Sequence, residues 1–149
     1  MKRVFGNKKK EVEYRERHGV YAVVLDQKSE KAGIVRTGSG RFFLPGGGIE
    51  EGETQYICLA RECLEELGHE IEIATFIGSA DQYFLSSKGE AMKSIGFFYL
   101  ASLGEKVTNP IEPDHELQWM NIEDAQKMLF HEHQAWALET VHKMGRERR

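Results

Sequence analysis

Strands and helices interleave along this 149-residue chain, which predicts an α/β or α+β class. Three stretches carry that expectation. Residues 19–25, GVYAVVL, form a β-branched and aromatic run of the kind that makes a buried strand. Residues 54–67 contain no Gly or Pro and are rich in helix formers. Residues 94–101 are almost wholly apolar, which predicts a central strand covered on both faces.

The other elements follow in order. Residues 32–36 and 41–44 are short strand candidates around the turn residues Gly38, Ser39 and Gly40. Pro45, Gly46, Gly47 and Gly48 then break regular structure. Thr54 is suited to cap the helix that follows, and Gly68 to stop it. Residues 71–78 and 82–85 read as two further strands. Residues 104–114 form a loop carrying Pro110 and Pro113, and residues 117–120 one more short strand. Asn121 is placed to cap a helix, with Asp124 three residues on. In a final helix over 133–144, Ala137, Leu138, Val141 and Met144 share one face.

Composition narrows the function. A length of 149 residues with 40% hydrophobic side chains suits one compact domain, residues 1–149. A formal charge of −4 argues against a nucleic-acid polymer as partner, because such binding needs excess basic charge to displace counterions. The basic clusters Lys8–Lys9–Lys10 and 146–149 are expected to be solvated. No run approaches the roughly 18 apolar residues that would span a bilayer, and the basic first ten residues lack the apolar core of a secretory signal. Cys58 and Cys63 should point apart on a helix, so neither a disulfide nor a thiol metal site is expected. A reduced, cytoplasmic compartment is the expectation. The sequence leaves the oligomeric state open.

The informative segment is GGGIEEGETQYICLARECLEELG, residues 46–68. On a helical wheel Tyr56, Ile57, Leu59, Ala60, Cys63, Leu64 and Leu67 form an apolar arc, with Arg61, Glu62, Glu65 and Glu66 opposite. Glu62 lies three and four residues from Glu65 and Glu66, so the carboxylates crowd and repel. Glu53 arrives just before the helix. One arginine cannot neutralise them, whereas a hard divalent cation such as Mg²⁺ prefers such oxygens and keeps waters that phosphates can replace. Glycines let backbone approach a ligand closely. A solvated amphipathic helix after a glycine-rich turn would explain the glutamates alone, but neither their spacing nor the glycine run.

This segment resembles the Nudix box: a glycine, five residues, a glutamate, seven residues, Arg-Glu, an aliphatic, any residue, Glu-Glu, any residue, a glycine and an aliphatic. Gly47, Glu53, Arg61, Glu62, Glu65, Glu66 and Gly68 match it. Cys63 and His69 stand where aliphatics are expected, and the box runs over residues 47–69. The resemblance implies an α/β/α sandwich with a mixed sheet between helices. It also implies a MutT-like pyrophosphohydrolase that uses Mg²⁺ or Mn²⁺. Its substrate would be a nucleoside diphosphate linked to another moiety: a nucleoside triphosphate, a dinucleoside polyphosphate or a nucleotide sugar.

By that analogy Glu65 and Glu66 are metal ligands, joined by a backbone carbonyl at Gly46 or Gly47. Glu62 is the general base or a shared ligand, Arg61 orients the carboxylates, and Glu53 is a further ligand or electrostatic support. Glu112, His115 and Glu116 are rival bases outside the box. Arg36 is a candidate phosphate contact, and Tyr83, Phe84 and Phe130 are candidate stacking residues against a nucleobase. His131, Glu132 and His133 look like a metal cluster but are read as a helix boundary, since residues at i and i+2 do not face each other on a helix. A non-catalytic nucleotide-binding or regulatory module on the same fold is the alternative, and the full set of box carboxylates favours the enzyme.

Overall fold

A computed structural model of the chain describes residues 2–111 and 114–147. Its elements in chain order are β1 (Arg3–Phe5), β2 (Arg15–Val24), β3 (Lys31–Arg36), β4 (Phe42–Phe43), β5 (Gly46–Gly48), α1 (Gln55–Leu67), β6 (His69–Leu85), β7 (Ala91–Lys106), β8 (Glu116–Asn121), α2 (Ile122–Met128) and α3 (Glu132–Glu147). Five strands form a mixed sheet in the order β1-β6-β7-β2-β5, and β4-β3-β8 form a second, antiparallel one. The apolar strand β7 is central, as its composition predicts.

Side-chain alternation along β2 builds a core on each face of the mixed sheet. Val20, Ala22 and Val24 meet Cys58, Leu59 and Cys63 of α1, together with Tyr99 and Ala101. On the other face Val23, Ala80 and Phe98 pack with Ala137, Leu138 and Val141 of α3 and with Ile34 and Leu44. The result is the expected sandwich of a mixed sheet between helices. No helix is long and apolar enough to cross a membrane.

Several expectations are corrected. Gly46–Gly48, expected to interrupt regular structure, pairs antiparallel with Gly19, Val20 and Tyr21 as an edge strand. Residues 71–78 and 82–85 belong to one long strand, bent by register shifts near Ile71, Thr75 and Gly78. Asp81 does not break it, because Lys2 lies 2.9 Å from one carboxylate oxygen and Lys93 3.7 Å from the other. Met144, expected on the buried face of α3, is 39% exposed. Cys58 and Cys63 are both buried in one cluster, and both are free thiols, as their spacing on a helix predicts.

Candidate active site

The acidic helix starts and stops where its caps dictate. Thr54 Oγ1 accepts a hydrogen bond from the Ile57 N–H at 3.2 Å, and Gly68 ends the helix in the left-handed region at φ 72°. Its rotation differs from the simple wheel. Tyr56, Ile57 and Leu64 of the apolar arc are exposed, whereas Glu66 of the acidic arc is only 6% exposed. The cause is β5. Packed on the face of the sheet beside this glycine edge strand, the helix turns Glu62 and Glu66 inward against the strand's backbone.

Each carboxylate has a defined place. Gly46 N–H donates to Glu66 Oε1 at 2.8 Å, and His115 Nδ1 stands 3.2 Å from Glu66 Oε2. A Cβ at Gly47 would come within 2.6 Å of both Glu62 carboxylate oxygens, so only glycine lets that carboxylate lie against the strand. Arg61 is the hub. Its Nε and Nη2 donate to the two oxygens of Glu53 at 2.6 and 2.9 Å. Its Nη1 reaches Glu62 at 3.0 Å and Glu65 at 3.2 Å, and Nη2 also donates to the Gly48 carbonyl at 3.1 Å. The forked guanidinium therefore ties the helix, the loop before it and β5 together.

The electrostatics follow from these contacts. The Arg61 hydrogen bonds, helped by the Glu50 N–H, hold the Glu53 carboxyl well below its ordinary 4.5, at about 2. The hydrogen bond that Arg61 donates to Glu53 in turn raises the pKa of Arg61. Burial pushes the Cys58 thiol up to about 11, so it is no nucleophile. Beside this group lies the Tyr21 phenol. Burial raises its pKa, opposed by Arg17 and reinforced by Glu66 and Glu62, so it senses charge from both directions.

The donors suit a hard cation. All are oxygens: the carboxylates of Glu53, Glu62 and Glu65 face one guanidinium, and Glu66 joins them at the Gly46 N–H. Among the described residues no three acidic, His or Cys side chains enclose an ion by themselves. A divalent ion there would complete its shell with backbone carbonyl, water and substrate oxygens, which is the habit of Mg²⁺.

The residues named outside the box divide. Phe84, Phe43 and Phe130 gather around His131, with ring centroids 4.6, 5.7 and 4.9 Å from it, and the Arg41 guanidinium lies 4.1 Å over Phe130. Tyr83 stays apart from them. It points to the other face of β6, edge-on to Tyr14 at 4.8 Å and near Lys8 and Lys93. Arg36 is exposed at the end of β3, opposite Glu116. Glu116 accepts from Gln118, and Glu112 lies outside the described residues. His131 and His133 flank the start of α3, as the boundary reading expects; burial holds them neutral, at about 4 and about 3.

Sequence reasoning missed Arg17 and Gln134. Arg17 lies against Gly48. Gln134, fully buried, accepts the Leu44 N–H at 2.7 Å and so anchors the approach to β5. The only sequence signal for Gln134 was a polar residue on the inner face of an amphipathic helix.

Comparison with known proteins agrees with this geometry. The family model described as NUDIX domain matches residues 15–143. No curated protein matches the chain. Among solved structures, a MutT NUDIX hydrolase from Burkholderia pseudomallei is 28% identical, with a TM-score of 0.69 over 85% of this chain and 98% of its own. A NUDIX hydrolase from Nitrosomonas europaea superposes with a TM-score of 0.72 at 19% identity, covering 87% of this chain and 90% of its own. An ADP-ribose pyrophosphatase from Streptococcus suis does so at 0.65 and 17%, covering 88% and 92%. A box on a capped helix, a glycine strand that accommodates its carboxylates and a family match over most of the sequence lead to one conclusion: the chain belongs to the NUDIX domain family, as a MutT-like hydrolase.

Proposed function

We propose that this Nudix pyrophosphohydrolase cleaves a phosphoanhydride bond in a nucleoside diphosphate linked to another group, by metal-dependent attack of water on phosphorus. The observation that carries the reading is the packing of Glu53, Glu62 and Glu65 around one arginine, with Glu62 lying against Gly47 of β5 and Glu66 accepting the Gly46 N–H beside them. We take residues 1–149 as one domain, with the box at 47–69.

Glu65 and Glu66 would hold Mg²⁺ or Mn²⁺ together with a carbonyl of the Gly46–Gly47 segment. The metal supplies screening of the diphosphate charge and a lower pKa for attacking water. Glu62 takes the proton from that water, and its place against Gly47 fixes the direction from which it does so. Glu53, bound at both oxygens by Arg61, acts as the anchor of Arg61 rather than as a ligand. Arg61 in turn holds Glu62 and Glu65 in register. Phe84 and Phe130, with Phe43 and His131, offer aromatic edges and faces to a nucleobase, whereas Tyr83 and Arg36 lack such a setting. One solved relative is called an ADP-ribose pyrophosphatase, a substrate of the proposed class.

The test is a screen of nucleoside triphosphates, dinucleoside polyphosphates and nucleotide sugars with Mg²⁺ or Mn²⁺ in ¹⁸O-labelled water, identifying both products. The label is expected in one phosphate-containing product, with no turnover under excess chelator. Nucleotide binding without turnover would replace this reading with a regulatory module.

A further inference from the structure

We infer that Arg17 holds the substrate phosphate that the acidic helix does not carry. This rests on the hydrolase reading above but concerns a residue outside the box. Arg17 lies in the exposed first part of β2, just before Gly19 pairs with Gly48. A Cβ at Gly48 would stand 3.0 Å from both Nε and Nη2 of its guanidinium. Gly47 and Gly48 therefore act as a pair. The first makes room for the Glu62 carboxylate on one side of β5, and the second for the Arg17 guanidinium on the other.

The charges are separated in a way that suits a diphosphate. Arg61 is committed to Glu53, Glu62 and Glu65. Among the described residues Arg17 has no ion-pair partner, although it stands at the same glycine strand. Tyr21 connects the two regions, since its phenol feels Arg17 together with Glu62 and Glu66. A substrate lying along the edge of β5 would thus present one phosphate to the carboxylate side and the next to a forked donor. A planar guanidinium is the side chain best matched to two phosphate oxygens. The flexible, exposed side chain is also free to be replaced without disturbing a core.

The experiment measures binding of methylenediphosphonate, a diphosphate analogue that cannot be hydrolysed, in the presence of Mg²⁺, by calorimetry on wild type, Arg17→Gln and Arg17→Lys. Mn²⁺ affinity without the analogue and nucleotide turnover are measured on the same samples. The expected result is about 10- to 100-fold weaker binding for Arg17→Gln, the usual worth of a charged hydrogen bond, with a smaller loss for Arg17→Lys and equal Mn²⁺ affinities. For nucleotides, KM should rise more than kcat falls. Wild-type affinity in Arg17→Gln, or no binding by wild type, overturns the inference. If wild type cleaves nucleotides while Arg17→Gln binds the analogue normally, the hydrolase reading stands and Arg17 falls. Binding through Arg17 without cleavage of any nucleotide has the opposite meaning.

Discussion

His115 Nδ1 stands 3.2 Å from Glu66 Oε2, so a histidine from outside the acidic helix lies against one of its buried carboxylates. The other oxygen of Glu66 is fixed by the Gly46 N–H. A carboxylate that accepts a backbone N–H at one oxygen and has an imidazole nitrogen beside the other is restricted in direction, and outer partners of this kind orient metal ligands. His115→Ala should therefore weaken Mn²⁺ binding by about 10- to 100-fold while the fold persists. Electron paramagnetic titration of free Mn²⁺ checks this. Unchanged affinity would remove His115 from the site.

The fork between Arg61 and Glu53 makes a second prediction. Glu53 titrates at about 2 rather than its ordinary 4.5 because Arg61 and the Glu50 N–H favour its charged form. The stabilisation is complete above 4.5 and is lost as pH falls through about 2. Melting curves of wild type and Glu53→Gln should differ most at neutral pH and converge as pH falls through about 2, where Glu53 becomes protonated in the folded state as well. A gap that stays constant with pH would contradict this.

Arg61→Lys keeps the charge but loses the fork. A lysine cannot reach both oxygens of Glu53 and also Glu62 and Glu65, so Glu62 loses its orientation. Activity should fall by about 10- to 100-fold, in keeping with loss of one or two charged hydrogen bonds. Steady-state kinetics within about threefold of wild type would instead mean that charge alone suffices, against that expected loss.

His131 and His133 act in the opposite sense to a paired histidine. Burial lowers them to about 4 and about 3, so the unfolded chain takes up protons that the folded one refuses. Stability is full above the ordinary 6.5 and falls as pH drops from 6.5 towards 4 and below. Each histidine contributes a slope of up to about 1.4 kcal/mol per pH unit. Urea midpoints between pH 7 and 4 should show this decline, and His133→Asn should flatten it. A slope unchanged in that variant would show that His133 is protonated in the folded state.

Most of the fold was legible because patterning announces it: the runs in β2 and β7, and the caps Thr54 and Gly68. The box residues were legible through their spacing. What escaped depended on long-range packing. A glycine triplet does not announce that β2 will pair with it, and a wheel cannot show that β5 draws Glu66 into burial while leaving Tyr56 and Ile57 outside. Tyr83 and Phe84 were grouped by type, but adjacent strand residues face opposite ways. His115 was named by type alone, and its contact with Glu66 joins residues far apart in sequence. Arg17 carried no local signal, since its meaning comes from the register of β2 against β5.

The central claim is that the acidic helix divides its labour, with Glu66 holding the metal and Glu62 taking the proton. The most direct measurement is kcat for Glu62→Gln beside Glu66→Gln, with Mn²⁺ affinity and melting temperature recorded for both. Gln preserves size and helix propensity, so the fold should survive in both variants. Glu66→Gln should lose Mn²⁺ affinity and rate together. Glu62→Gln should keep most of its Mn²⁺ affinity while kcat falls by roughly 10²- to 10⁴-fold, the worth of a positioned base. A kcat for Glu62→Gln within about threefold of wild type, against that expected loss, would contradict the account and turn attention to His115, Glu116 and Glu112.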